Sequence, residues 1–144
     1  MELEGKVWKD PDSSWWLAEV SFLDVMTQGK TRKEVLEMIK DAVMELLKDS
    51  YEGLLKKKFQ LTVSLYEDGV IGMRASDDKL LFALGLKRQR LRSGSTIRDV
   101  SKRLKSKSPN AYAWYERAQA RPSIEKYAEL LHAANPNRRP LLVS

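Results

Sequence analysis

The sequence predicts an α+β protein in two parts. A β-β-β-α-β sheet covered by one helix occupies residues 1–75, and a small all-α unit occupies residues 76–144. Three observations point there. Residues 59–66 alternate strictly: Phe59, Leu61, Val63 and Leu65 face one way, and Gln60, Thr62, Ser64 and Tyr66 the other. That is the period of a strand packed on one side. Val35, Met38, Ile39, Ala42, Val43 and Leu46 recur at steps of three and four, which marks an amphipathic helix over residues 32–49. The charge also divides. Residues 1–75 hold 11 Lys/Arg and 14 Asp/Glu, net −3; residues 76–144 hold 15 and 6, net +9; the 144-residue chain carries +6. An acidic half joined to a basic half suggests two modules with different partners.

Taken in order, residues 3–9 read as a short strand. Asp10-Pro11-Asp12-Ser13-Ser14 is dense in turn formers. Residues 15–23, rich in aromatic and β-branched side chains, form the second arm of a hairpin, with Trp16, Ala18, Val20 and Phe22 on one face. A third strand runs through Val25 and Met26 until Gly29 breaks it. Thr31-Arg32-Lys33-Glu34 then fits a capping box, the Thr31 hydroxyl accepting from the Glu34 backbone while the Glu34 carboxylate reaches back. Asp68-Gly69 is a hairpin signal, so residues 70–74 can return as a further short strand.

In the basic half a helix runs from Asp78 through Leu91, apolar at Leu80, Leu81, Leu84 and Leu91 and basic at Lys87, Arg88, Arg90 and Arg92. Ser93-Gly94-Ser95 breaks it. Thr96 and Asp99 make a capping box for a second helix with Ile97, Val100 and Leu104 as its buried stripe. Lys105-Ser106-Lys107 connects to a third, entered by Ser108 at the cap and Pro109 in the first turn, where a missing N–H costs nothing. That helix runs from Asn110 to Arg117, with Tyr112 and Tyr115 inside. Ser123 caps a fourth carrying Ile124, Tyr127, Leu130 and Leu131. Asn135-Pro136-Asn137-Arg138-Arg139-Pro140 should be a loop, and Leu141-Leu142-Val143 could add a strand to a partner's sheet.

Composition excludes several function classes. With 42% hydrophobic residues the chain can build a core. The absence of cysteine removes disulfides, Cys-based zinc sites and thiol nucleophiles. A single histidine, His132, makes a histidine-based triad improbable and reads as a surface or packing residue. The longest apolar runs fall far short of the roughly 20 residues needed to span a bilayer. Met1-Glu2-Leu3-Glu4 does not resemble a signal peptide, so a cytoplasmic protein is expected. Asp10, Asp12, Glu19 and Asp24 are scattered carboxylates, whereas a two-metal nuclease holds several on adjacent rigid elements. No enzyme activity, catalytic residue, metal or cofactor is expected. Trp8, Trp15 and Trp16 read as core or interface side chains in preference to a ligand pocket.

The order of motifs carries a resemblance. Asp12-Ser13-Ser14-Trp15-Trp16-Leu17-Ala18-Glu19-Val20, then Thr27-Gln28-Gly29-Lys30-Thr31 directly before the long helix, resembles the N-terminal domain of HicB antitoxins. Ser13-Ser14 replaces that family's two glycines, and residues 21–26 lack its usual proline. The resemblance implies a partial RNase H-like fold without a catalytic metal cluster. It also implies a partner, a HicA-like ribonuclease toxin with a double-stranded-RNA-binding-like fold, contacted through Trp15, Trp16, Asp24 and Gln28.

Two capped helices joined by a tight connector inside a basic four-helix unit fit a helix-turn-helix. Leu86-Lys87-Arg88-Gln89-Arg90, Thr96-Ile97-Arg98-Asp99-Val100-Ser101, Glu116 and Arg121-Pro122-Ser123 resemble the lambda-repressor-like (XRE) type, a C-terminal domain that HicB proteins often carry. Lys105-Ser106 and Arg117-Ala118 stand where that family usually has glycine. The resemblance implies double-stranded operator DNA as a second partner, with Ser108, Asn110 and Trp114 at the bases. Arg92, Arg98, Lys107, Arg117 and Arg121 would meet phosphates. The other reading of Trp114 is burial against the second helix. Helix-turn-helix proteins usually read two half-sites, so a homodimer or higher oligomer is expected. The alternative is a stand-alone transcription regulator whose first domain dimerises or senses a ligand.

Overall fold

The computed structural model describes residues 1–108 and 110–137. The chain divides into two compact units, Met1–Asp78 and Lys79–Ser144. Pro109 at the entry to the third predicted helix, the end of the predicted loop (138–140) and the segment Leu141-Leu142-Val143 lie outside the described residues.

The first unit is a five-stranded antiparallel sheet packed on one helix. The elements are β1 (Leu3–Lys9), β2 (Trp16–Val20), β3 (Val25–Gly29), α1 (Arg32–Tyr51), β4 (Leu61–Leu65) and β5 (Val70–Ala75). Their order across the sheet is β3-β2-β1-β5-β4. The hairpin after α1 therefore docks through its second strand. Leu3 lies opposite Met73 and Gly5 opposite Ile71, which leaves β4 at the edge.

Alternation sorts the faces as expected. Leu3 and Val7 of β1, Ala18 and Val20 of β2 and Ile71 and Met73 of β5 are buried. Along α1 the buried side chains are Val35, Ile39, Val43, Leu47 and Tyr51, a single line at steps of four. The wider stripe predicted from sequence is corrected here: Met38 is exposed and Leu46 only half-buried. A helix lying on a sheet covers one narrow line and leaves its shoulder wet.

Close approach explains the glycine of the Thr27-Gln28-Gly29-Lys30-Thr31 run. A Cβ on Gly29 would stand 2.9 Å from the Val35 backbone nitrogen, so glycine lets the first turn of α1 settle against β3. Thr31 caps that turn, its hydroxyl accepting from the Glu34 N–H at 3.0 Å. The second strand is shorter than predicted. It stops at Val20, residues 21–23 make a 3-10 turn, and Asp24 takes a left-handed conformation (φ 54°) that Asp tolerates better than most residues.

The second unit has four helices: α2 (Asp78–Ser93), α3 (Ile97–Arg103), α4 (Asn110–Glu116) and α5 (Ile124–Ala134). α3 packs against α4 and α5. The caps read from sequence are in place. Thr96 and Asp99 form a reciprocal capping box, and Ser123 Oγ accepts from the Lys126 N–H. Leu80, Leu81, Leu84, Leu86, Val100, Tyr112, Tyr127 and Leu130 are buried. The Phe82 and Tyr127 rings lie 4.7 Å apart, and the Tyr127 hydroxyl donates to the Phe82 carbonyl. Two assignments are corrected: Leu91 and Ile124 stand at helix ends and are more than half exposed.

α2, α3 and α4 all end in the same way. A left-handed residue follows the last turn, and the next N–H reaches back five residues. Gly94, Lys105 and Ala118 take the left-handed position (φ 73°, 54° and 59°). Ser95, Ser106 and Gln119 donate to the carbonyls of Arg90, Ser101 and Trp114. Lys105 and Ala118 thus adopt the backbone that glycine adopts at lower cost.

Candidate nucleic-acid interface

A polar frame sets the position of α4. Arg90 of α2 grips Glu116, the last residue of α4, through two parallel bonds: Nε to Oε2 at 2.9 Å and Nη2 to Oε1 at 2.7 Å. Its third nitrogen donates to the Ser95 carbonyl in the α2–α3 turn. The side chains are 12% and 7% exposed, so the pair is largely desolvated. Glu116 beside it raises the Arg90 pKa, and Tyr112 adds to the same effect. One guanidinium therefore ties together three points of the chain.

Further bonds fix α5. Arg103 Nη1 donates to Ser95 Oγ and to the Ala133 carbonyl. The Ser93 hydroxyl reaches the Ala134 carbonyl, and Asn135 donates to the Gln89 amide oxygen. The sequence placed Arg90 on a basic solvent face with Lys87, Arg88 and Arg92; it is instead a structural cation. Its signal was present, since Arg90 and Glu116 are both motif residues, but their pairing was not legible.

On that frame α4 presents one face outward. Asn110, Trp114 and Arg117 follow at steps of four and three and are exposed, Trp114 by 53%. Tyr112, Ala113 and Glu116 point inward. Burial of Trp114 against α3 does not occur. Ser108 is exposed and serves the helix entry, its Oγ accepting from the Asn110 N–H at 3.2 Å. Lys107 is exposed in the connector, Arg98 on the first turn of α3, Arg92 at the end of α2 and Arg121 after α4.

Lys102 in the last turn of α3 and Lys105 just after that helix, given no DNA role from sequence, add exposed cations. With Asp77 and Asp78 in the first unit, the second holds 15 Lys/Arg against 4 Asp/Glu, net +11. Asp99 answers the α3 N-terminus: the Thr96 N–H bond holds its carboxyl below the usual carboxylate range. His132 is exposed on α5, beside a cleft of about 460 Å³ that Lys105 and Glu129 also line.

In the first unit the four residues singled out for a protein partner do not form one patch. Trp15 and Trp16 lie where β2 begins, with Arg32 6.0 Å from the Trp16 ring centroid. Gln28 is exposed opposite Leu17, on the sheet face away from α1. Asp24 sits at the far end of β2, in the turn to β3.

That outer face holds a cluster missed from sequence. Glu2 lies over Gly72, accepts the Tyr66 hydroxyl at 2.7 Å and pairs with Arg74 at 3.3 Å. The bond to Glu2 raises the Tyr66 pKa. Asp10 and Asp12 belong to the turn before β2, where the Asp12 N–H and the Ser13 hydroxyl bond Asp10 and lower its pKa. Among the described residues no three His, Cys, Asp or Glu converge as metal ligands, and no helix is long and apolar enough to cross a membrane. No known family model matches the chain, and no curated protein matches it.

Proposed function

We propose that the chain is the antitoxin of a HicA/HicB-type pair. Its first unit sequesters a small ribonuclease toxin, and its second binds operator DNA as a homodimer or higher oligomer to repress its own operon. The observation that carries the reading is α4, locked by Arg90–Glu116, with Asn110, Trp114 and Arg117 outward among cations. B-DNA's major groove admits such a helix. The Asn110 amide can pair with adenine N6 and N7, and Trp114 can cover a thymine methyl. Arg92, Arg98, Lys107, Arg117 and Arg121 would meet phosphates, supplying affinity and salt dependence without sequence choice. The toxin-binding role rests on the Thr27-Gln28-Gly29-Lys30-Thr31 run before α1 and on the acidic charge of the first unit, which suits a basic RNA-binding partner. No catalytic role falls to the chain itself.

Two measurements test this. The full chain is titrated with duplex DNA from upstream of its own gene and with scrambled duplex. Asn110→Ala should weaken specific binding by about 1–3 kcal/mol, and Arg98→Ala should weaken both and lower the salt slope by about one. Equal affinity for both duplexes removes the operator role. Co-expression with the product of an adjacent small gene, scored by pull-down and growth rescue, tests the toxin. DNA binding without toxin capture leaves a stand-alone regulator.

A further inference from the structure

The β4 edge of the first unit is unguarded. At either end of the β4–β5 ladder the Tyr66 N–H donates to the Val70 carbonyl and the Gln60 carbonyl accepts the Ser76 N–H. By alternation, Thr62 and Ser64 also turn their backbone toward β5. Leu61, Val63 and Leu65 therefore direct their N–H and C=O groups away from the sheet. Natural edges are usually protected by charge, proline or a bulge. Leu61-Thr62-Val63-Ser64-Leu65 has no charged residue and no proline, and its register runs unbroken.

Beside this edge runs a groove of about 290 Å³ between α1 and β4, walled by Lys33, Leu36, Glu37 and Lys40. Leu65, on the α1 side of the strand, is 42% exposed. We infer that this edge pairs with the same edge of a second copy, joining two sheets through antiparallel β4 strands about a two-fold axis at Val63.

The strand's own pattern selects that occupant. Leu61-Thr62-Val63-Ser64-Leu65 reads alike in both directions: leucine, hydroxyl, valine, hydroxyl, leucine. Pairing about Val63 sets Leu61 against the partner's Leu65, Thr62 against the partner's Ser64, and Gln60 against the partner's Tyr66. A two-fold contact must be self-complementary in this sense. The hydroxyl pair falls on the outer face and the apolar pairs on the face that continues the core. The groove wall repeats the logic, since Lys33, Glu37 and Lys40 carry both signs and can meet opposite charge in a copy of themselves. The inference stands on the sheet alone and holds whether or not the second unit binds DNA.

The chain has no cysteine, so Val63→Cys in the full-length protein places one thiol on the axis. A short bis-maleimide should join that variant into covalent dimers, while Lys6→Cys, on the outer face of β1, should give few. Mass by light scattering should halve in Leu65→Lys, a change at an exposed side chain, with the circular dichroism spectrum kept. Equal cross-linking at positions 63 and 6, or an unchanged mass in a folded Leu65→Lys, overturns the inference.

Discussion

The two units hold their folds by different means. Every buried polar or charged side chain among the described residues falls in the second: Gln89, Ser95, Ser101, Glu116 and Asn135. The first buries aliphatic and aromatic side chains almost throughout, chiefly between α1 and the sheet, with the Tyr51 ring and the Thr27 hydroxyl oxygen its buried hydroxyl-bearing groups among the described residues. The reason is geometric. A sheet meets its own backbone hydrogen bonds across the ladder and can commit one face to packing. Four short helices leave many unpaired ends. Here Arg90, Ser93, Arg103 and Asn135 reach across to bind those ends or each other. The apolar layer tolerates exchange of shape, whereas the polar frame specifies one arrangement and fails sharply when one partner is removed.

The sharpest way to break this contrast is Glu116→Ala. Stranding Arg90 in a desolvated site should cost about 3–5 kcal/mol, enough to unfold a unit of this size. Thermal melts followed at helical wavelengths should lose the second unit and keep the first. The double change Arg90→Met with Glu116→Leu should recover most of the loss, because removing both charges removes the desolvation penalty. If the double variant is as unstable as the single one, charge specification is not what holds α4.

Next in size is Ile39→Ala in the apolar layer. Ile39 is fully buried, and its truncation should cost about 2–5 kcal/mol by lost burial and a cavity. It should lower the unfolding transition of the first unit alone. A loss shared by both units would show that they unfold as one.

Smaller, and of opposite sign, is Lys105→Gly. Relieving a left-handed lysine should stabilise the second unit by about 1 kcal/mol and raise its Tm by about 4–8 °C. Ala118→Gly should gain less, because the Ala118 methyl is buried.

The smallest effect is on pH. The folded Asp99 carboxyl is held below its ordinary pKa by the Thr96 N–H, so its contribution is present above the ordinary value and is lost as pH falls from there through the lowered folded value. Between pH 5 and pH 3 the second unit should lose more stability in the native chain than in Asp99→Asn. Parallel pH profiles would remove the capping carboxylate from the account.

These comparisons also show where the sequence was legible. Strand and helix placement was largely legible: residues 3–9 form the strand read there, the strand read from alternation over 59–66 is present but shorter, at Leu61–Leu65, and Thr31, Thr96 and Ser123 cap the helices they were read to cap. Misreadings cluster at ends and shoulders. Leu65, Leu91 and Ile124 fit their patterns and yet stand exposed. Lys105 and Ala118 carry no left-handed signature of their own; only the resemblance, which puts glycine near both, pointed to those two helix ends.

The sequence by itself determined the two-part organisation, the caps and the charge division. Each is a local or additive property, readable from spacing or from a count. Tertiary structure alone decided that Arg90 belongs to Glu116, 26 residues away, and not to solvent. It also decided that the last hairpin enters the sheet through β5, so that β4 and not β5 is the open edge. Both are choices among partners distant in the chain. The energy that makes them comes from desolvation and ladder pairing, which no local pattern of residues encodes.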